Sequence, residues 1–252
     1  MGQPVSVTAT AASSGAGAGC PKPVALVVGA GSGLSAALAR AFSARRYEVV
    51  LAARDTSDLS ALAEETGALA IDCDASDRGA VARLFRRVDE REGPLAIAVY
   101  NPSARVRGPI AELDPEAVEH ALAVTAYGAF LMAHHASKRM LENGTGALLF
   151  TGASAGVKGF ANSAPFAMGK FALRGLCQSL ARELHPKGIH VGHVVIDGAI
   201  GGTPQHAREN QVEAPDDLLE PDAIAASFLH LVDQRRSAWS WEIELRPWSE
   251  TF

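Results

Sequence analysis

Cysteine is scarce in this chain: three residues in 252, at Cys20, Cys73 and Cys177. They fall singly, without metal-ligand spacing, and their odd number excludes a simple disulfide framework, so a reducing cytoplasm is the expected compartment. Blocks of positive charge are missing too. No basic run exceeds a pair such as Arg45-Arg46 or Arg86-Arg87, and the net charge is −5, which argues against a nucleic-acid surface. No apolar run approaches the roughly 18 residues that suggest a membrane span. Between Ser6 and Gly19 there is no charge and, after Val7, no large side chain. Such a stretch buries too little apolar surface to offset its ordering entropy, and residues 1–21 are expected to form a disordered tail. The tail also lacks the cationic start and apolar stretch of a secretion signal, and the arginines of a transit peptide.

What remains is ordinary for a soluble protein, with 48% hydrophobic and 20% charged residues, and 252 residues are enough for a sizeable core. From Pro23 onward two periodicities alternate. Val24–Val28 is a short apolar run suited to a buried strand, and Leu34, Ala37, Leu38, Ala41 and Phe42 then recur at helical spacing. Strands are expected over 48–53, 68–72, 95–99, 147–150, 189–196 and 239–245. Helices are expected from Ser57, acting as a cap, to Gly67; along the stripe Val81, Leu84, Phe85 and Val88; over 115–141; over 162–184; and from Pro221. This alternation implies a parallel sheet of about seven strands with helices on both faces, in one domain over 22–252.

The first strand–helix junction carries Gly29-Ala30-Gly31-Ser32-Gly33-Leu34-Ser35. Glycines there permit a tight turn and let backbone approach a pyrophosphate, whose charge the helix N-terminus favours. A plain strand–helix turn is the competing reading. The motif as a whole resembles the short-chain dehydrogenase/reductase family, from about Val24 to the C-terminus. At the places of that family's Thr-Gly-x-x-x-Gly-x-Gly the chain has Val28, Gly29, Gly33 and Ser35, so two glycines are kept and serine replaces the last. The resemblance implies a Rossmann-type doubly wound sheet and a nicotinamide cofactor held by Gly29, Gly31, Ser32, Gly33 and Leu34. Arg54, after the second strand, suits the 2′-phosphate of NADP(H), though a solvated surface arginine is the other reading. By resemblance Asp74 and Ala75 meet the adenine. Asn101 occupies the second place of the Asn-Asn-Ala-Gly segment, and Ile200 lies in the segment whose backbone binds the carboxamide. Lys170 binds the nicotinamide ribose, or is a solvated helix lysine.

The family's catalytic set is a tyrosine, a lysine four residues later, a serine and an asparagine. Here the tyrosine place holds Phe166, in Phe166-Ala-Met-Gly-Lys170. Ala153 falls where serine is expected, with Ser154 one residue later, and Thr125 takes the asparagine place. A phenyl ring cannot give or take a proton, so Phe166 is read as an apolar pocket wall or a core aromatic. Ser154, Thr125 and Tyr100 are the candidate substitutes, Tyr100 because it ends the fourth strand, where ligands bind in such sheets. Arg105 and Arg107 either hold an anionic substrate or are surface charges. His134-His135, His190 and His193 form no ligand cluster, and no metal is expected. Two functions stay open. One is an NADP(H)-dependent oxidoreductase of noncanonical mechanism, acting on a small, fairly apolar carbonyl, enone or imine. The other is an NADP(H)-binding relative without redox turnover: an isomerase, a cyclase, a sensor or a scaffold. The resemblance further implies a homodimer or homotetramer paired through the helices near 115–141 and 162–184.

Overall fold

In the computed structural model the described residues are 21–202 and 217–250. The expected tail (1–21) therefore lies outside them, apart from Pro21. The five residues of β1 (Val24–Val28) are all buried, which requires cover on both faces of the sheet. Helix α1 (Leu34–Ala44) supplies one cover, burying Leu34, Ala37, Leu38 and Phe42. Strand β2 (Glu48–Ala53) pairs with β1, and β3 (Leu69–Asp72) pairs with β2. Between them lies α2 (Ser60–Thr66), which ends on Gly67 in the left-handed conformation. Ser57 does not cap α2. It opens a 3₁₀ turn over Ser57–Leu59, where its carbonyl accepts the Ser60 hydroxyl and its own N–H donates to Asp55 Oδ1.

Helix α3 (Arg78–Asp89) is capped by Asp77, and β4 (Leu95–Tyr100) follows. The expected helix over 115–141 is α4 (Pro115–Leu122), one π-helical turn (Ala123–Tyr127) and α5 (Gly128–Asn143). Strand β5 (Gly146–Thr151) leads through a 3₁₀ turn at Ser154–Gly156 to α6 (Ala164–Leu184). Then come β6 (Ile189–Ile196), α7 (Pro221–Asp233) and β7 (Glu242–Leu245). The final strand starts at Glu242, three residues later than the alternation suggested; before it Trp239 Nε1–H and Ser240 N–H donate to the Gln234 backbone carbonyl and side-chain oxygen.

All seven strands pair in parallel in the order β3-β2-β1-β4-β5-β6-β7. The order reverses between β1 and β4, and a crevice at the carboxyl ends of these strands is where such sheets bind ligands. Period-2 alternation divides the core. Leu26, Val28, Tyr100, Phe150 and Val191 pack with residues of α3, α5 and α6, while Val27, Leu51, Val99, Val194 and Ile196 pack with residues of α1 and α7. Among the described residues no helix is long and apolar enough to cross a membrane.

Candidate active site

At the switch point the glycine loop is tied to the end of β4. Asn101 N–H donates to the Val28 carbonyl at 3.0 Å. Its side-chain amide donates to Ser35 Oγ at 2.8 Å, and Ser35 donates to the Gly29 carbonyl at 2.8 Å. Gly29 has φ of 81°, and a Cβ there would lie 2.7 Å from Pro102 N, so glycine is required on two grounds. A Cβ on Gly31 would meet no atom of the described residues within 4 Å. Gly33 caps α1 without a side-chain bond, and no acidic residue sits in the first turn. The N–H groups of the first turn, at the positive end of the helix, are of the kind that suits a phosphate. Exposed Arg54 lies past β2. Asp74, half-buried, accepts both the N–H and the hydroxyl of Ser76, which together hold its carboxyl below the usual range. Ala75 is buried, and Ile200 makes an isolated bridge to Leu219.

The second half of the site is built by α6 and the π turn. Lys170 and Phe166 stand one helical turn apart, and both are buried. Lys170 Nζ donates to the Thr151 carbonyl at 2.8 Å. Burial, and then the nearby Arg105 charge, lower its pKa to about 7. The Phe166 ring packs with Ala153 and Ala155. It has Lys170 Nζ 5.9 Å and Arg105 Cζ 4.4 Å from its centroid. Close packing fixes this geometry: a Cβ on Gly169 would lie 3.0 Å from Thr125 Cβ, and one on Gly156 would lie 3.1 Å from the Lys170 carbonyl. Thr125, buried in the π turn, accepts the Ala104 N–H at 3.2 Å and so clamps the loop that carries Arg105. Ser154 opens its 3₁₀ turn half-buried, with its carbonyl taken by Val157 N and Lys158 N.

Tyr100 is not where the strand-end argument put it. Its side chain is fully buried, and its hydroxyl donates to the Val124 carbonyl inside the π turn. Burial pushes its phenol well above the ordinary range. It braces the helix from below and does not face the cleft. A Cβ on Gly128 would run into that hydroxyl and into the Ala75 carbonyl, which explains the glycine. The sequence reading also missed the stacking of Arg105 on Phe166 and a half-buried polar chain that links α6 to β6 and β7. In that chain Arg174 forks onto Glu242 at 2.7 and 2.8 Å, and Glu242 meets His193 Nδ1 at 2.9 Å. Only the β6–β7 pairing, which sets His193 against Glu242, could have revealed it.

The short-chain dehydrogenase family model matches residues 23–213. The chain belongs to that family. A solved short-chain dehydrogenase from Rhodopseudomonas palustris is 30% identical, with a TM-score of 0.77 over 90% of this chain and 99% of that one. A metagenomic short-chain oxidoreductase solved with NADP is 27% identical, with a TM-score of 0.78 over 89% and 97%. A 3-oxoacyl-[acyl-carrier-protein] reductase, MabA, of Mycobacterium tuberculosis is 30% identical over 147 residues. That match covers 58% of this chain and 59% of its relative, less than two thirds of the relative's length.

Proposed function

We propose that this protein binds NADP(H) and reduces small, fairly apolar carbonyl, enone or imine compounds, with the proton supplied by Lys170 instead of a tyrosine. The observation that carries this reading is the Lys170 ammonium. It is buried beside the Phe166 ring, held by one backbone carbonyl, and brought to a pKa of about 7. A general acid works best when its pKa lies near the working pH. In the family's usual set this lysine adjusts the phenol; with the phenol absent, the lysine is the titratable group left at that place. Phe160, Met168 and Val157 are exposed close by in sequence and give the cleft its apolar character. Gly29, Gly31, Ser32, Gly33 and Leu34 would hold the pyrophosphate, Arg54 the 2′-phosphate, and Asp74 and Ala75 the adenine. Asn101, Ile200 and Lys170 would hold the nicotinamide end. When bound, NADPH supplies the hydride. Thr125 and Ser154 position the loops around the acceptor and are not proton donors in this scheme. The protein works as a homodimer or homotetramer.

The experiment is NADPH consumption with a panel of aldehydes, ketones, enones and imines. Lys170→Met should lower turnover by about 10²–10⁴-fold, the usual worth of a general acid. Bound NADPH without turnover on any acceptor would instead favour the second reading, a cofactor-binding relative that performs no redox chemistry. Phe166, Ala153 and Thr125, at three of the four catalytic places, support that alternative.

A further inference from the structure

We propose that His193 is the positioning residue of Lys170: the edge of its ring wedges the Thr151–Gly152 peptide where that peptide's carbonyl receives the lysine. This rests on the reductase reading above and deepens it, by naming what holds the proton donor in place.

His193 lies in β6 opposite Phe150 of β5 and Glu242 of β7. Paired residues of neighbouring strands share a face, so its side chain points to the α6 side, as Phe150 does. On that helix Lys170 and Arg174 stand one turn apart. The ring is wholly buried. Its Nδ1 is 2.9 Å from Glu242 Oε2, and Arg174 grips the same carboxylate at 2.7 and 2.8 Å. Burial works against the Glu242 charge, but the Arg174 and His193 contacts outweigh it and hold that carboxyl below its ordinary value. Burial likewise lowers the pKa of the His193 ring, against the Glu242 contact that raises it, and the Lys170 and Arg174 charges add to the lowering. The imidazole is therefore neutral. An ionised carboxylate only accepts, so Nδ1 carries the ring hydrogen and Nε2 is bare. Among the described residues Nε2 has no hydrogen-bond partner.

The Nε2–Cε1 edge meets Gly152. A Cβ there would run into Nε2 and lie 2.6 Å from Cε1, so the imidazole occupies the space of the side chain that residue 152 lacks. Val194, the next residue of β6, takes the Gly152 N–H on its carbonyl at 2.7 Å. That N–H belongs to the same peptide unit as the Thr151 carbonyl, to which Lys170 Nζ donates at 2.8 Å. Two consecutive residues of β6 thus fix one peptide, Val194 by a hydrogen bond and His193 by steric fit. A hydrogen bond from an ammonium favours the charged form only while its acceptor stays in reach. A neutral ring with a bare nitrogen also leaves the ammonium unopposed, whereas a charged ring would repel it. The other titratable or charged groups that act on Lys170 are Arg105, from the loop after β4, and Cys177 of α6.

The test follows the titration of Lys170 in the full chain without cofactor, by NMR of lysine isotopically labelled at Cε, with Lys170→Met identifying the signal. The parent should titrate at about 7. His193→Asn places an amide nitrogen where Nδ1 was, which keeps the Glu242 bond, and removes the Nε2–Cε1 edge. Its midpoint should fall by at least about one pH unit, because the carbonyl is no longer held against the ammonium. Adding Gly152→Ala to His193→Asn puts a methyl group into the vacated space and should bring the midpoint back to that of the parent. His190→Asn, the same change at another buried position of β6, should leave it unmoved. Should His193→Asn not fold, nitrogen NMR of the histidine rings in the parent decides: His193 should carry a hydrogen on Nδ1 and none on Nε2 from about pH 6 to 9. Four results each overturn the assignment: an unmoved midpoint in His193→Asn, no return in the double variant, an equal fall in His190→Asn, or a hydrogen on Nε2. Failure of the reductase reading is separable, since it would appear as no NADPH turnover while the Lys170 midpoint still depended on His193.

Discussion

Lys170 should weaken the very fold it serves, by an amount that depends on pH. Its ammonium is buried and titrates near 7 in the folded protein, against 10.5 for the ordinary side chain. Between those values the unfolded chain binds the proton and the folded chain does not. Stability contributed by this site therefore rises as pH rises from about 7 to 10.5 and is flat below 7. A displacement of about 3.5 units corresponds to a penalty on the order of 5 kcal/mol at low pH. Lys170→Met removes the titration and keeps most of the volume. It leaves the Thr151 carbonyl without its donor, at a pH-independent cost of about 1–3 kcal/mol. Urea unfolding of both proteins, without cofactor, isolates the effect as the difference between their stabilities. Relative to Lys170→Met, the parent should lose about 3–4 kcal/mol on going from about pH 10 to 7. A difference that stays constant across that range would refute the assignment of a neutral-range, buried lysine, and with it the case for Lys170 as proton donor.

Restoring the phenol is a second probe: Phe166→Tyr places a hydroxyl next to Lys170 and should raise reduction of simple aldehydes and ketones, by up to about 10²–10⁴-fold. No gain with any such acceptor would show that the cleft no longer seats a carbonyl against that ring. Arg54→Ala should weaken NADPH binding by about 10–100-fold and leave NADH binding unchanged, the difference made by one charge-assisted pair to the 2′-phosphate; equal losses for both cofactors would contradict the role given to Arg54. Tyr100→Phe should cost about 1–3 kcal/mol in unfolding free energy by orphaning the Val124 carbonyl, with NADPH affinity intact. Unchanged stability in that variant would mean the buried hydrogen bond is not a brace.

The elements most legible in the sequence were those with both a strong period and a clear stop. Strand β6 runs over Ile189–Ile196 and α7 starts at Pro221, as the residues indicated. An apolar run and a proline leave little choice there. The π turn at Ala123–Tyr127 was invisible, because it inserts itself in an unbroken helical pattern and depends on a tertiary contact, the Tyr100 hydroxyl on the Val124 carbonyl. Tyr100 was misplaced for a related reason. Being last in β4 locates a residue at the right end of the sheet, but strand parity decides the face, and Tyr100 is still inside the ladder, opposite Val28 and Phe150. In the site, the four-residue spacing of Phe166 and Lys170 already placed them on one helix face. What surrounds the ring could not be read from spacing. Arg105 reaches it from the loop after β4, 61 residues earlier in the chain, and only the closed fold brings the two together.

The central claim is that hydride leaves NADPH in this cleft and that Lys170 completes the reduction. Its most direct measurement follows deuterium from NADPH labelled at the nicotinamide C4 into the products of the acceptor panel, by mass spectrometry, in the parent and in Lys170→Met. The account predicts one deuterium in the reduced product of the parent and a rate of transfer lower by about 10²–10⁴-fold in the variant. Deuterium transfer at equal rates in both proteins would contradict the role of Lys170, and no transfer from bound NADPH in the parent would contradict the reductase itself.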